Sequence, residues 1–435
     1  MSSSGAASSA AAQADADPDD QWRLPTTQVT YWGVPTQAVV VLILFVAGAG
    51  TAIKIGQFSA DHGGPSLPDP LWLLLSLLGA SALVLTISAV WLRRGAAVVS
   101  RGMSILVVVV AFVAMVLISI ALPDQFDVQA DRDEALEIAA NRLWSGLDPW
   151  AEPTHVGPSQ FPSPFLGGVL VALPFVVATG NATIQMLVVG AIALVLLLRV
   201  AGHRAGTAGF LVFATSLVWI NEFIFEHDIA FNAILVAIAT GWTLFAVNRQ
   251  HYATAHLIGA GVLLGFGITN RFFFLSVALL LALVLLRIDW RRTISWLLAT
   301  GLTTLAMLAV PLFLWPTSVE RILEQSLSKS ESTDVSGAGL ILAGATLIVV
   351  LLGALLVRDT SQVYLVAGAA LALLPIWLLI LESLGNGRLA LSEYLAQTYW
   401  APCVVFALLG FVMPRTRIVS RSTTAQAYDE TAARH

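Results

Sequence analysis

The run Asp131-Arg132-Asp133-Glu134 sits in a long polar stretch between Pro123 and Pro164, inside a chain that is otherwise strongly apolar. Carboxylates that close together can take a proton from a hydroxyl as a general base, or hold a divalent cation between them. Asp131 with Glu134 three residues later also fits a capping box, whose acids stabilise a helix N-terminus by ~0.3–1 kcal/mol. The chemistry alone leaves both readings open. A second acidic cluster holds Glu222, Glu226, His227 and Asp228. Of these, Glu222 reads as a group facing water at a helix boundary, while Glu226, His227 and Asp228 read equally as substrate contacts. The third feature is Asn270-Arg271, a guanidinium fork between two short apolar segments, 255–269 and 272–286. Such a fork suits phosphate oxygens, unless the side chain merely snorkels to an interface. Arg388 and Glu393, later in the chain, could line the same cavity.

These groups need a scaffold, and composition says which kind. With 57% apolar and 11% charged residues over 435 positions, and a mean hydropathy of +0.82, the chain reads as an all-α polytopic membrane protein. Cys403 is the one cysteine, so a disulfide framework and a cysteine-rich zinc site are both excluded. No basic stripe with interleaved aromatics is present, which excludes nucleic acid as a partner. Residues 1–33 and 414–435 read as polar cytoplasmic tails around a multispan domain, 34–413.

Apolar stretches lie near residues 35–53, 70–92, 103–122, 165–179, 183–201, 206–224, 229–247, 255–269, 272–286, 294–315, 339–357, 362–381 and 397–413. Arg93, Arg94, Arg101, Arg199, Arg204, Arg249, Arg287, Arg291, Arg292, Arg358, Arg415, Arg417 and Arg421 all fall on one side only if 165–179 does not cross. That segment is therefore expected to be re-entrant or juxtamembrane, leaving about twelve crossings with both termini in the cytoplasm. The loops 123–164, 221–228, 316–338 and 382–396 then share the outer face. Within the first, Leu136, Ala139, Ala140 and Leu143 form an apolar stripe, read as a helix lying on the membrane surface. Arg321, Glu324, Lys329 and Glu331 read as a solvated surface, and Tyr399 and Trp400 as an interfacial belt.

An acidic D-x-D or D-E pair, an amphipathic helix, the turn Gly146-Leu147-Asp148-Pro149-Trp150 and the proline-led Phe161-Pro162-Ser163-Pro164-Phe165 follow one another in the first large external loop. That ordered set resembles the GT-C membrane glycosyltransferases, in particular the lipid-linked mannosyltransferases. The likeness covers residues 103–290 well and the C-terminal third weakly. The chain differs from the pattern in two extra spans before the loop, in Trp150 where the family more often has Tyr, and in Phe161 where Tyr is common.

The resemblance implies transfer of one sugar from a polyprenyl phosphate to a hydroxyl of a lipid or glycan acceptor, with inversion, at the outer face of the membrane. It implies Asp133 as general base, with Asp131 and Glu134 beside it. Arg271 would face the donor phosphate with Asn270 and Arg388, and the acids of the second loop would face the first. The resemblance implies no definite cofactor. Two carboxylates leave room for a divalent metal, although a donor of this kind needs one less than a nucleotide sugar does. Lys54 and Lys329 are the only lysines beside abundant Ala, Val, Leu and Arg, which points to a GC-rich prokaryote, its plasma membrane, and mannose or arabinose on the donor. A transporter or lipid-linked-sugar flippase is the alternative. It is disfavoured because the acids cluster in loops and no internal repeat is visible.

Overall fold

The computed structural model describes residues 100–121, 132–155, 161–216, 219, 222, 228–248, 254–321, 338–386, 399–416 and 418. Its elements are α1 (Arg101–Ala121), α2 (Arg132–Trp144), α3 (Leu166–Thr179), α4 (Ile184–Val200), α5 (Gly202–Thr215), α6 (Ile229–Asn248), α7 (Thr254–Asn270), a 3-10 turn at Phe272–Phe274, α8 (Leu275–Leu286), α9 (Trp290–Leu314), α10 (Ala338–Leu356), α11 (Thr360–Asn386) and α12 (Trp400–Val412). No sheet forms among the described residues, as the apolar runs without period-2 alternation require.

α6, α9, α10 and α11 are long and apolar enough to cross a membrane, and α3 with α4 makes a fifth candidate if that pair, bent by 112°, is taken as one broken span. The described helices therefore fall well short of about twelve crossings. Hydropathy counts 255–269 and 272–286 separately, but each forms only a short apolar helix because Asn270-Arg271 interrupts them. The segment 397–413 is likewise short. The segments 35–53 and 70–92 lie outside the described residues.

Membrane embedding follows from where the apolar side chains point. Only 11% of the α9 window and 17% of the α10 window are buried. Leu302, Leu305, Phe313, Leu340 and Leu355 are exposed on these two helices. An apolar face of that extent is stable against hydrocarbon and costly against water. The core lies instead among α6, α7, α8, α11 and α12, around Ile268, Phe274, Tyr364 and Phe406. α7 approaches α9 closely through Gly261 and Gly265. A Cβ on Gly261 would stand 2.9 Å from the Trp296 carbonyl oxygen, and one on Gly265 2.7 Å from Thr303 Cβ. Small residues four apart are the usual means of bringing two membrane helices together.

The ends of the bundle differ in charge. Arg287 donates to the Ala354 and Val357 carbonyls beside Arg358, and Arg415 pairs with Asp359 at 3.0 Å, so these arginines gather at one end. Arg199 and Thr360 line one cavity at that same end. α7 starts there and finishes at Asn270 at the opposite end, where it meets the N-terminus of α3. α4 runs the other way, toward Arg199, so α3 begins and finishes on the side away from the arginines.

Candidate functional site

α2 presents the stripe read from its periodicity. Leu136, Ala139 and Ala140 are buried with Leu143 packed beside them, and they meet Leu166, Val169, Ala172 and Val176 of α3. The stripe is thus covered by protein, a correction to the membrane-surface reading, since periodicity reports an apolar face but not its partner. The following turn is pinned at several points. Trp150 is 1% exposed and donates its indole N–H to the Pro164 carbonyl at 2.9 Å. The Asp148 carboxylate accepts from the Trp150 N–H at 3.0 Å and from the Ser318 hydroxyl at 2.5 Å. Arg142 donates to the Asp148 carbonyl and pairs with Glu152 at 3.0 Å. The family-like Gly-Leu-Asp-Pro-Trp turn therefore locks the loop onto α3 and onto the helical residues 316–321.

The acids of α2 occupy three environments. Asp133 is partly exposed in the first helical turn. Glu134 accepts from the His155 backbone N–H at 3.1 Å and contacts the His155 ring. Glu137 reaches past the end of α3 to accept from the Ala182 N–H at 2.9 Å. Burial raises the Glu137 carboxyl above its ordinary value, the Ala182 N–H pulls it down, and the charges of Asp133 and Glu134 push it up again. An acid raised in the folded state contributes stability that is present at low pH and is lost as pH rises through its folded value. Glu137→Gln keeps the acceptor for Ala182. It is expected to raise the unfolding temperature at about pH 7 and to leave it nearly unchanged at about pH 4. Thermal unfolding across that range checks this, and a variant no more stable at the upper end would contradict it.

The second part of the site forms where α6 begins and α7 breaks. Arg271 has an extended backbone, φ −145° and ψ 112°, that ends α7 and starts the 3-10 turn. Its Nη2 donates to Asp228 Oδ1 at 2.7 Å, the two side chains being 13% and 4% exposed. The other Asp228 oxygen accepts from Asn232 Nδ2 at 2.9 Å, and Asn232 Oδ1 accepts from Asn270 Nδ2. Asp228 sits at the N-terminus of α6, where the helix dipole favours a negative charge. Glu222 accepts from the Ala230 N–H at 2.6 Å and is fully buried, which corrects its reading as a water-facing group. Among the described residues, buried Arg271 Nε and Asn270 Oδ1 have no hydrogen-bond partner.

α3 joins the two parts. A Cβ on Gly168 would stand 2.5 Å from Asn270 Oδ1, and one on Gly167 would stand 2.1 Å from Thr269 Oγ1 and 2.8 Å from the Phe266 carbonyl oxygen. Phe165 meets Phe272 edge-on at 4.9 Å, carrying the proline-led segment to the residue after Arg271. Gly167→Ala is expected to cost ~1–3 kcal/mol, because backbone must move to admit the methyl group. Denaturant unfolding in detergent measures it, and a wild-type midpoint would contradict the close packing. Glu137 is anchored beyond the C-terminal end of α3 and Asn270 at its N-terminal end. At about 1.5 Å per residue, Gly168 and Thr179 are ~16 Å apart along the helix.

Of the residues singled out by sequence, Asp228, Asn270 and Arg271 come together, while Asp133 and Glu134 belong to the other part. Asp131, Glu226, His227 and Arg388 lie outside the described residues. Among the described residues no group of three or more His, Cys, Asp or Glu is placed to hold a metal. Tyr399 packs edge-on against Phe273 at 5.7 Å and Trp400 is buried, so they are core contacts and not an interfacial belt. Arg321 stacks over the Phe161 ring at 4.9 Å instead of facing water alone. Sequence reading missed Asn232, although its place four residues after Asp228 puts both on one helix face. It also missed His155 and Ser318, for which spacing carries no signal.

No family model matches the chain, and no curated protein or solved structure matches it. The likeness to the GT-C enzymes stands on the motifs alone.

Proposed function

We propose that this chain is an integral-membrane glycosyltransferase that moves one mannose- or arabinose-like sugar from a polyprenyl phosphate to a hydroxyl of a lipid or glycan acceptor. The reaction takes place at the end of the bundle that carries the loop acids, and the arginine-rich end faces the cytoplasm. The supporting observation is the part-buried Arg271, held by Asp228 on one arm of its fork, with Nε lacking a hydrogen-bond partner among the described residues and with the next residue, Phe272, packed against Phe165 of the proline-led segment.

The acceptor oxygen attacks the anomeric carbon as the bond from that carbon to the phosphate oxygen breaks. The phosphate leaves with the electron pair, and the hydroxyl proton passes to Asp133. That transfer requires α2 to close toward Arg271 when substrate binds, since the two parts of the site stand ~16 Å apart along α3. A placed carboxylate contributes ~10²–10⁴-fold to such a step. Arg271 stabilises the departing phosphate, sharing its charge between that group and Asp228, in a setting where the pair is shielded from water. The donor chain stays in the bilayer, which is why the acids are carried on a membrane bundle.

Proteoliposomes containing purified protein, radiolabelled decaprenyl-phosphate mannose and an acceptor lipid extract separate this reading from its rival. Label is expected to leave the phosphate and appear in an acid-stable product. Label that only changes leaflet, with the sugar–phosphate bond intact, would make the chain a flippase and overturn the proposal.

A further inference from the structure

A cavity of about 620 Å³ lies between α1, α4, α5, α6 and α12. Along α6 it is walled from Ala230 to Phe245, a distance on the order of 22 Å at the helical rise per residue. Its polar groups concentrate at one end. Arg199 is in the last turn of α4, His256 is near the start of α7 and within 3.3 Å of the Trp242 indole N–H, and Thr360 opens α11. This is the arginine-rich end. Leu196 and Trp242 both wall the cavity and are exposed, at 39% and 36%, so the cavity communicates sideways with the exterior of the bundle.

We propose that this cavity binds an anionic phospholipid from the leaflet at the arginine-rich end, with its phosphate on Arg199 and His256 and one acyl chain along α6. The wall matches a hydrocarbon chain, and the cation matches the headgroup. A donor reacting at Arg271 has its phosphate at the opposite end of the bundle, so the head position separates this lipid from the donor. The site goes beyond the transfer reading and does not depend on it.

The test uses the full chain in maltoside micelles, titrated with phosphatidylglycerol or phosphatidylcholine carrying the same mid-chain-brominated acyl groups. Tryptophan quenching is read as the difference between wild type and Trp242→Phe. Phosphatidylglycerol is expected to saturate the Trp242 component at a concentration about tenfold below phosphatidylcholine, as a charge-assisted headgroup contact would give. Arg199→Gln is expected to remove that difference between headgroups. Gly190→Phe is expected to abolish the Trp242 component, because a Cβ there meets only Phe112 at 3.9 Å and the larger ring then fills the cavity. Thermal unfolding in parallel identifies a variant that fails to fold, in which case Arg199→Gln decides. Equal saturation by the two headgroups would overturn the proposal. So would displacement of phosphatidylglycerol by decaprenyl phosphate at lower concentration, which would give the cavity to the donor. Absence of any Trp242-dependent quenching would mean that another part of the chain occupies the cavity.

Discussion

Asp133→Asn is expected to abolish sugar transfer, by ~10²–10⁴-fold or more, and to leave the protein folded. The substitution removes a proton acceptor and keeps size and hydrogen-bonding reach, so a purely structural group would tolerate it. Glu134 is engaged by His155 and Glu137 by Ala182, so their loss loosens turns as well as chemistry. Glu134→Gln is accordingly expected to reduce activity less than Asp133→Asn does. Turnover is measured with saturating donor, beside the unfolding temperature. If Asp133→Asn turns over at near the wild-type rate, its carboxylate serves the helix N-terminus, and the base must be sought at Asp228.

Arg271→Ala is expected to weaken donor binding about 10- to 100-fold, the effect of losing a charge-assisted contact of ~1.5–3 kcal/mol. The single variant has a second effect, because it strands Asp228 in a buried setting, and breaking such a pair costs ~3–5 kcal/mol of stability. The double variant Arg271→Met with Asp228→Asn separates the two. It removes both charges and keeps an acceptor for Asn232. Stability is expected to recover while donor affinity stays low. Arg271→Lys keeps the charge without the fork and is expected to fall between wild type and Ala. A double variant with wild-type donor affinity would make the Asp228–Arg271 pair a structural tie only.

How far the chain could be read in advance depended on the kind of signal. The stripe on α2 was legible because Leu136, Ala139 and Ala140 recur at helical spacing. That α3 covers it was not, because spacing carries no information about the partner. The break at Arg271 was legible from two short apolar segments on either side. Its partner Asp228, 43 residues away, was already a candidate, but nothing local ties the two together. Glu222 was misjudged because an acid in a loop-like run gives no sign that the start of α6 will bury it against the Ala230 N–H. Among the described residues the crossings were overcounted because hydropathy registers apolar composition and not where a helix ends, and α7 and α8 each stop short of a span.

The most direct measurement is a structure of the protein in lipid nanodiscs with decaprenyl phosphate added. The expected result is density for the phosphate within hydrogen-bond distance of the Arg271 guanidinium, on the side of Nε, with the chain leaving toward the bilayer. A phosphate bound elsewhere, with the Arg271–Asp228 pair undisturbed, would contradict the account.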